Sequence, residues 1–212
     1  MKKIKICAPV IGETLKEFLE NLDQVQEISD MVELRVDKIK NLSEKDLALI
    51  KKRIKKEVIL TSRRKDIILK GLDMKFDFID IELSLISSLN LSKPDKTKII
   101  LSFHDFKKTP TLQELTLITN HMRECNVGVL KIATMVNEDQ DINNLFKILL
   151  NKKKNERIIV IGMGNKGQIT RILGPLLGSF LTFASTKYGK TAPEQIDINK
   201  MKNIYKLLVP NP

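Results

Sequence analysis

The most constraining feature of this 212-residue sequence is a repeated alternation between short apolar runs and helical patterns. The runs are rich in β-branched residues, as buried strands are. They cover residues 4–10, 31–36, 58–61, 76–82, 98–104, 128–134, 157–161 and 180–183. Apolar residues at helical spacing follow most of them, with Thr14, Ser43 and Thr111 as predicted N-caps. Eight such units without a break in composition predict a parallel (β/α)8 TIM barrel in one domain over residues 1–212.

The chain is compact for this architecture, because TIM barrels typically take about 250 residues. The shortage is visible between the third and fourth predicted strands, where residues 64–75 leave little room for a full helix. We therefore expect a shortened segment there.

The net charge of +11 favours anionic partners through long-range attraction. The lysines are scattered over predicted helix faces and loops. Aromatic residues make up only 5% of the chain and tryptophan is absent, so the stacking platforms of a single-strand binder are lacking. We interpret most of the excess charge as solvated surface and expect no nucleic-acid partner.

The two cysteines, Cys7 and Cys125, cannot form a disulfide framework, and no metal-type cysteine pair exists. No stretch approaches the roughly 20 apolar residues of a membrane helix. The first apolar run is interrupted at Pro9 and is too short for a secretory signal. We expect a cytoplasmic protein with no membrane association and no metal.

A lysine, Lys131, lies in the middle of the sixth predicted strand. Burial of an ammonium ion is costly unless the ion is paired or loses its proton. Desolvation lowers the pKa of a lysine, and a neutral amine attacks a carbonyl to form a Schiff base. The alternative is a strand-end lysine whose charge reaches solvent.

Further polar residues lie at strand ends, where TIM barrels carry their active sites. Glu33 and Arg35 point to the same face of their strand and predict a buried pair, either structural or ligand-binding. His104 lies on the strand next to that of Lys131. It is either a proton shuttle or a hydrogen-bonded core residue. The remaining polar residues of this set are Arg63, Glu82, Asp105 and Arg171.

Residues 162–167 match the pattern G-x-G-x-x-G of dinucleotide-binding loops. The acidic residue expected about 20 positions later is missing, because residues 179–190 contain no Asp or Glu. We reject a dinucleotide site and leave open whether these amides receive an anion.

A series of short motifs runs through almost the whole chain: E-L-R-V-D at 33–37, T-S-R at 61–63, I-D-I-E-L at 79–83, S-F-H-D-F at 102–106 with T-P at 109–110, K-I-A at 131–133, R-I-L-G at 171–174 and T-A-P-E-Q-I at 191–196. Taken together, these segments resemble the type I 3-dehydroquinate dehydratase family, the Schiff-base enzymes of the shikimate pathway. Their combination and order are far more specific than any single motif.

The resemblance implies a hydro-lyase that eliminates water from 3-dehydroquinate without any cofactor, and members of the family are often homodimers. By their match to the family, Lys131 forms the imine and His104 shuttles protons. Arg171 matches the arginine that binds the substrate carboxylate. The other matching positions are Glu33, Arg35 and Arg63 for the ring hydroxyls, and Thr191 and Gln195 for the closing loop.

Two departures accompany the resemblance. Position 191 carries threonine where the family usually has serine, which keeps the hydroxyl. The family's acidic or glutamine residue beyond the third-strand arginine has no match, since Asp66 or Ile67 falls there.

The alternatives to this family are another lysine-imine barrel such as a class I aldolase, a basic nucleic-acid-binding protein and an inactive barrel.

Overall fold

The computed structural model describes residues 4–89, 91, 98–192 and 194–209. Within these residues eight parallel strands form one sheet in the order β7-β6-β5-β4-β3-β2-β1-β8. The strands are β1 Ile6–Val10, β2 Met31–Arg35, β3 Glu57–Thr61, β4 Phe78–Glu82, β5 Ile99–Asp105, β6 Val129–Met135, β7 Ile158–Met163 and β8 Thr182–Phe183. A backbone hydrogen bond of 2.8 Å from Phe180 N to Ile158 O joins the start of the β8 segment to β7. The sheet is therefore a nearly closed barrel, and the predicted TIM-barrel architecture is confirmed.

Helices follow the strands and cover the outside of the barrel. They are α1 Leu15–Ile28, α2 Glu44–Arg53, α3 Lys65–Asp73, α4 Leu83–Ile86, α5 Leu112–Glu124, α6 Asp139–Leu150, α7 Gln168–Leu176 and α8 Ile198–Leu208, with a 3-10 turn at Val36–Lys38. The side chains of Thr14, Ser43 and Thr111 cap α1, α2 and α5 by accepting backbone N–H groups, as the sequence predicts.

The segment between β3 and β4 is short but still forms a helix. Helix α3 has nine residues, against 14 in α1 and 13 in α5. It fits because Gly71 lets the helix approach the sheet closely, as an added Cβ there would lie 2.3 Å from a methyl group of Leu60. A shorter helix, the four-residue α4, follows β4. The sequence analysis did not predict this second short segment.

The interior of the barrel is apolar at one end and polar at the other. Because alternate strand residues point inward, one set of side chains fills the lower interior: Cys7, Met31, Ile59, Phe78, Ile100, Val129, Ile159 and Leu181. Two residues further along their strands, Glu33, Asp80, Ser102 and Lys131 are buried polar groups. The carboxyl ends of the strands therefore surround a polar chamber with an apolar floor. Across the described ranges, no helix is long and apolar enough to span a membrane.

The glycine-rich loop after β7 packs the start of α7 against the barrel. A Cβ at Gly167 would lie 2.4 Å from the carbonyl carbon of Gly162, so the two chain segments touch. The N–H of Gly162 donates to Thr170 Oγ1 at 2.7 Å, and the N–H of Gly167 donates to the Gly164 carbonyl at 3.1 Å. These glycines thus serve a tight turn, in which two of the loop amides already have acceptors.

Candidate active site

A cavity of about 310 Å³ opens at the carboxyl ends of the strands. All eight site residues named from the sequence line this cavity: Glu33, Arg35, Arg63, His104, Lys131, Arg171, Thr191 and Gln195. The structure thus brings together residues that are up to 162 positions apart, from Glu33 to Gln195.

Lys131 lies inside the barrel on β6, between Ser102 of β5 and Ile159 of β7. Lys131 is only 6% exposed, so its charge does not reach solvent. The Nζ atom donates to Asp80 Oδ2 at 2.6 Å and lies 4.9 Å from the centre of the Phe183 ring. This contact with the aromatic face adds a second favourable environment for the cation.

The charge state of Lys131 differs from the one that burial alone predicts. Burial by itself lowers the pKa of Lys131, but the negative charges of Asp80 and Glu33 and the hydrogen bond to Asp80 outweigh this effect. The pKa therefore lies above the ordinary value of 10.5, and the lysine is an ammonium ion in the substrate-free protein. Of the two outcomes that the sequence analysis left open for a buried lysine, pairing or loss of the proton, the structure shows pairing, and the partner is Asp80.

Asp80 on β4 is the partner of that ammonium ion and is itself anchored. Its Oδ1 atom accepts a 2.6 Å hydrogen bond from Ser102 Oγ, while its Oδ2 atom faces Lys131. Burial by itself raises the pKa of Asp80, but the positive charge of Lys131 outweighs it and brings the pKa below 3.8. Asp80 is consequently a fixed anion beside the lysine.

His104 on β5 is held by Glu82 at the end of β4. The Nδ1 atom of its ring lies 2.6 Å from Glu82 Oε2. The neighbour in sequence, Asp105, turns away and accepts the backbone N–H groups of Lys107 and Lys108 at 2.8 and 3.1 Å. The acid that contacts the histidine therefore comes from the adjacent strand, not from the His-Asp dipeptide.

The sequence predicts that Glu33 and Arg35 form a buried pair with each other, but in the structure each has a different partner. Arg35 instead forms a two-pronged ion pair with Asp37, with both N–O distances at 2.7 Å. The 3-10 turn that follows β2 brings Asp37 back toward the arginine. Glu33 accepts a hydrogen bond of 3.1 Å from Thr61 Oγ1 on the neighbouring strand β3.

Arg171 reaches the cavity from the first turns of α7 and is almost completely buried, with 2% exposure. Its backbone carbonyl accepts hydrogen bonds from Thr182 Oγ1 and the Tyr205 hydroxyl, which fix the helix against β8 and α8. In the described part of the chain its Nη2 atom has no hydrogen-bond partner. Burial lowers the pKa of Arg171 to about 10, so the guanidinium remains charged at neutral pH. A buried, incompletely paired cation of this kind favours an anionic ligand.

The remaining residues lie at the rim of the cavity. Arg63 is exposed at the end of β3. Thr191 and Gln195 hold each other, with Thr191 N donating to Gln195 Oε1 at 2.9 Å and Gln195 Nε2 donating to Thr191 Oγ1 at 3.2 Å. Pro193, also part of the motif, lies outside the described residues. No group of three His, Cys, Asp or Glu side chains is placed to hold a metal ion in the ranges that the structure describes.

Comparison with known proteins decides the family. A family model described as type I 3-dehydroquinase matches residues 6–212. The chain belongs to the type I 3-dehydroquinase family.

Two relatives and one solved structure illustrate the membership in the type I 3-dehydroquinase family. The chain is 39% identical to a 3-dehydroquinate dehydratase of Coxiella burnetii over 95% of this chain and 92% of the relative. It is 37% identical to that of Methanocaldococcus jannaschii over 96% and 98%. The crystal structure of the Clostridium difficile type I enzyme shares the fold with a TM-score of 0.83 at 24% identity, covering 98% of this chain and 93% of that one.

Sequence reasoning missed several contacts of this type I 3-dehydroquinase site. By the resemblance to the family, Asp80 and Glu82 of the I-D-I-E-L motif were expected to be framework acids, one of them orienting His104 or balancing the arginines. In the structure Asp80 pairs with Lys131, and Glu82 contacts His104. The available signal was register, since both acids point inward from β4, two residues apart and next to β5. Ser102 and Phe183 were missed because neither is charged.

Proposed function

We propose that this chain eliminates water from 3-dehydroquinate to give 3-dehydroshikimate, with Lys131 as the Schiff-base nucleophile and His104 as the proton shuttle. The observation that carries the proposal is the buried ion pair of Lys131 and Asp80 at 2.6 Å, inside a cavity that His104 also lines. Membership in the type I 3-dehydroquinase family supports the hydro-lyase reaction and its place in the shikimate pathway.

Substrate binding follows from the charges of the cavity. Among the described residues Arg171 Nη2 has no hydrogen-bond partner, and this guanidinium binds the substrate carboxylate, for which its planar donors are suited. Glu33, Arg35 and Arg63, from the ends of β2 and β3, bind the ring hydroxyls. Thr191 and Gln195 close the cavity from the loop after β8.

The reaction begins when the amine of Lys131 loses its proton and attacks the substrate ketone. His104, which lines the same cavity, takes up this proton and passes it to the carbinolamine hydroxyl, while Asp80 remains an anion beside Nζ. Loss of water from the carbinolamine gives an iminium ion, which draws electrons from the neighbouring C–H bond. His104 removes that proton and delivers it to the departing hydroxyl, which leaves as water. A second water then hydrolyses the imine and frees Lys131, so that the net change is the loss of one water.

Borohydride reduction in the presence of 3-dehydroquinate tests the nucleophile. Reduction of an imine leaves a stable secondary amine, and we expect intact-mass and peptide mass spectrometry to locate it on Lys131. The matched control is Lys5→Ala. Lys5 is a half-buried lysine at the opposite end of the barrel, paired with Glu57, and its removal leaves labelling and turnover intact. Lys131→Ala, checked for folding by circular dichroism, loses both. Labelling of another lysine, or turnover by Lys131→Ala, contradicts the proposal.

His104→Ala separates the two roles. The variant keeps Lys131 and therefore still forms adduct, but its turnover falls on the order of 100-fold or more, the usual contribution of general acid–base catalysis. Normal turnover in this variant rules out His104 as the shuttle.

If the wild-type protein cleaves a carbon–carbon bond of a sugar phosphate and does not act on 3-dehydroquinate, the result supports the aldolase alternative instead.

We further propose a cytoplasmic enzyme that acts as a single catalytic domain over residues 1–212 and as a homodimer. The number of subunits is measured by size-exclusion chromatography with light scattering, and a monomer at all concentrations contradicts the homodimer.

A further inference from the structure

Ser102 is a buried serine on β5 that lies between the acids of β4 and the lysine of β6. In the register of the sheet it is opposite Glu82 on β4 and opposite Lys131 on β6. Only 1% of the residue is exposed, and its side chain lines the cavity. The sheet therefore places a hydroxyl group beside the charged groups of the site.

The hydroxyl of Ser102 has one hydrogen to donate and three acceptors within reach. Asp80 Oδ1 lies 2.6 Å from Ser102 Oγ, against 3.3 Å for the carbonyl oxygen of Ile81 and 3.5 Å for Glu82 Oε2. The shortest of these distances is that of a hydrogen bond to a charged acceptor. The hydrogen of Ser102 therefore goes to Asp80.

The two oxygens of Asp80 face different donors. Oδ2 accepts from Lys131 Nζ, and Oδ1 accepts from Ser102. A carboxylate that is held at one oxygen can still turn about its last single bond, whereas donors at both oxygens fix its plane. Burial raises the pKa of Asp80, and the positive charge of Lys131 and the hydrogen bond from Ser102 are among the effects that lower it. Ser102 thus contributes both to the orientation and to the charge of Asp80.

In the proposed reaction the charge on Lys131 disappears once. The ammonium ion loses its proton before the amine attacks, and a positive charge returns with the iminium ion. The hydroxyl of Ser102 faces Asp80 throughout, because it takes no part in the bonds that form and break. We propose that Ser102 is a positioning residue that holds Asp80 as an anion facing Nζ while Lys131 is a neutral amine, so that the iminium ion forms beside a counter-ion already in place. This inference rests on the proposed function, in which Lys131 forms an imine.

Other hydroxyl groups near the site have different partners. Thr61 Oγ1 donates to Glu33 at 3.1 Å, and Thr134 Oγ1 is hydrogen-bonded to Thr109 Oγ1 at 2.8 Å. These partners leave Ser102 to hold Asp80.

Timed trapping with borohydride measures the rate of imine formation in a single turnover. The protein is mixed with 3-dehydroquinate, borohydride is added after set intervals, and the intact mass gives the labelled fraction. We expect Ser102→Ala to form the adduct on the order of 10- to 100-fold more slowly, which is the range for the loss of a hydrogen bond to a charged group. A wild-type rate in this variant overturns the inference.

The dependence of this rate on substrate concentration separates positioning from damage to the cavity. Arg171 and Glu33 are not bonded to Ser102 and keep their places in Ser102→Ala. We therefore expect the half-saturating concentration of 3-dehydroquinate to change by about twofold or less while the maximal rate falls. A collapsed cavity raises this concentration instead. A raised half-saturating concentration with an unchanged maximal rate contradicts the role of Ser102.

A kinetic double-mutant cycle with Asp80→Asn tests whether Ser102 acts through Asp80. Asparagine has nearly the size of aspartate but no charge, so the hydroxyl has no anion to hold in this background. We expect Ser102→Ala to slow imine formation there by about twofold or less, far less than in the wild type. Labelling is followed until it no longer increases, so that slow variants remain measurable. Losses that multiply show that the serine acts independently of Asp80 and contradict the inference.

Two further variants complete the test. Ser29→Ala is the matched control, because Ser29 is also buried and its hydroxyl donates to the carbonyl of Val25 at 2.8 Å, at the end of α1. We expect it to leave the rate of imine formation unchanged. Ser102→Cys keeps a weak S–H donor and carries the test if circular dichroism shows that Ser102→Ala is unfolded. We expect its rate to lie between those of serine and alanine, and a wild-type rate contradicts the inference.

The outcomes separate this inference from the proposed function. If the wild type is labelled on Lys131 and Ser102→Ala is labelled equally fast, the role of Ser102 is overturned and the proposed function stands. If the wild type neither labels nor turns over, the proposed function is overturned, and the role of Ser102 in imine formation falls with it.

Discussion

The ammonium group of Lys131 and the carboxylate of Asp80 form an ion pair inside the barrel, with Nζ 2.6 Å from Oδ2 and side-chain exposures of 8% and 4%. Both the free lysine and the iminium ion of the proposed reaction are cations. Asp80 therefore faces a positive charge before and after imine formation. Only the neutral amine, which exists briefly between the ammonium ion and the iminium ion, carries no charge. The pair thus provides one counter-ion for the whole reaction.

A double-mutant cycle tests how strongly the two groups are coupled. Removal of one partner leaves the other buried without compensation, which costs about 3–5 kcal/mol of unfolding free energy. We expect Lys131→Met and Asp80→Asn each to be destabilised by roughly that amount and the double variant to lose much less than the sum. Urea unfolding at neutral pH measures the four free energies. Additive losses contradict a direct ion pair.

The same pair predicts how stability depends on pH. The folded-state pKa of Asp80 lies below 3.8, so its stabilisation is present above that pH and is lost as the pH falls through the folded value. The folded-state pKa of Lys131 lies above 10.5, so its stabilisation is present below that pH and is lost as the pH rises through the folded value. We expect the stability difference between wild type and Asp80→Asn to be constant between these limits and to shrink in acid. A difference that persists unchanged to full acid denaturation contradicts the assignment.

The burial of Arg171 predicts that its replacement has opposite effects on the stability of the protein and on substrate binding. Within the described ranges one nitrogen of its buried guanidinium, Nη2, has no hydrogen-bond partner, and burial lowers the pKa of Arg171 to about 10. An unsatisfied buried donor costs about 1–3 kcal/mol, so Arg171→Met stabilises the substrate-free protein in thermal unfolding. It also raises KM on the order of 10- to 100-fold, because a charge-assisted contact with the carboxylate is lost. A destabilised variant with normal KM contradicts this role.

The hydrogen bond of Thr191 in the closing loop predicts that substitutions at this position lower kcat/KM to different degrees. Its hydroxyl accepts from Gln195 at 3.2 Å, and serine retains that acceptor whereas valine does not. We expect Thr191→Ser to change kcat/KM by about twofold or less and Thr191→Val to lower it by up to about tenfold. Steady-state assays of the two variants side by side measure the contribution of the hydroxyl, and equal values for serine and valine show that it makes none.

Much of the fold could be predicted because it depends on local patterns. Strand runs, caps and the order of the elements are properties of neighbouring residues, and the eight strands of the described chain lie where the apolar runs predict them. The four-residue α4 was missed because a short connection has no periodicity to detect.

The site could be predicted as a set of residues but not as a set of contacts. Strand ends and motifs identified eight of the side chains that line the cavity. Partners depend on register between strands, which a single sequence does not specify. For this reason Glu33 and Arg35 were paired incorrectly, and the sequence left open whether Asp80 or Glu82 contacts His104.

The sequence by itself therefore determined the architecture and the chemical groups at the mouth of the barrel. The tertiary structure decided which charges meet. It places Asp80 within hydrogen-bond distance of Lys131 and keeps the lysine protonated against the effect of burial. The physical reason is that the electrostatic energy of a buried group depends on distances of a few ångströms, and those distances exist only after the strands have been brought side by side.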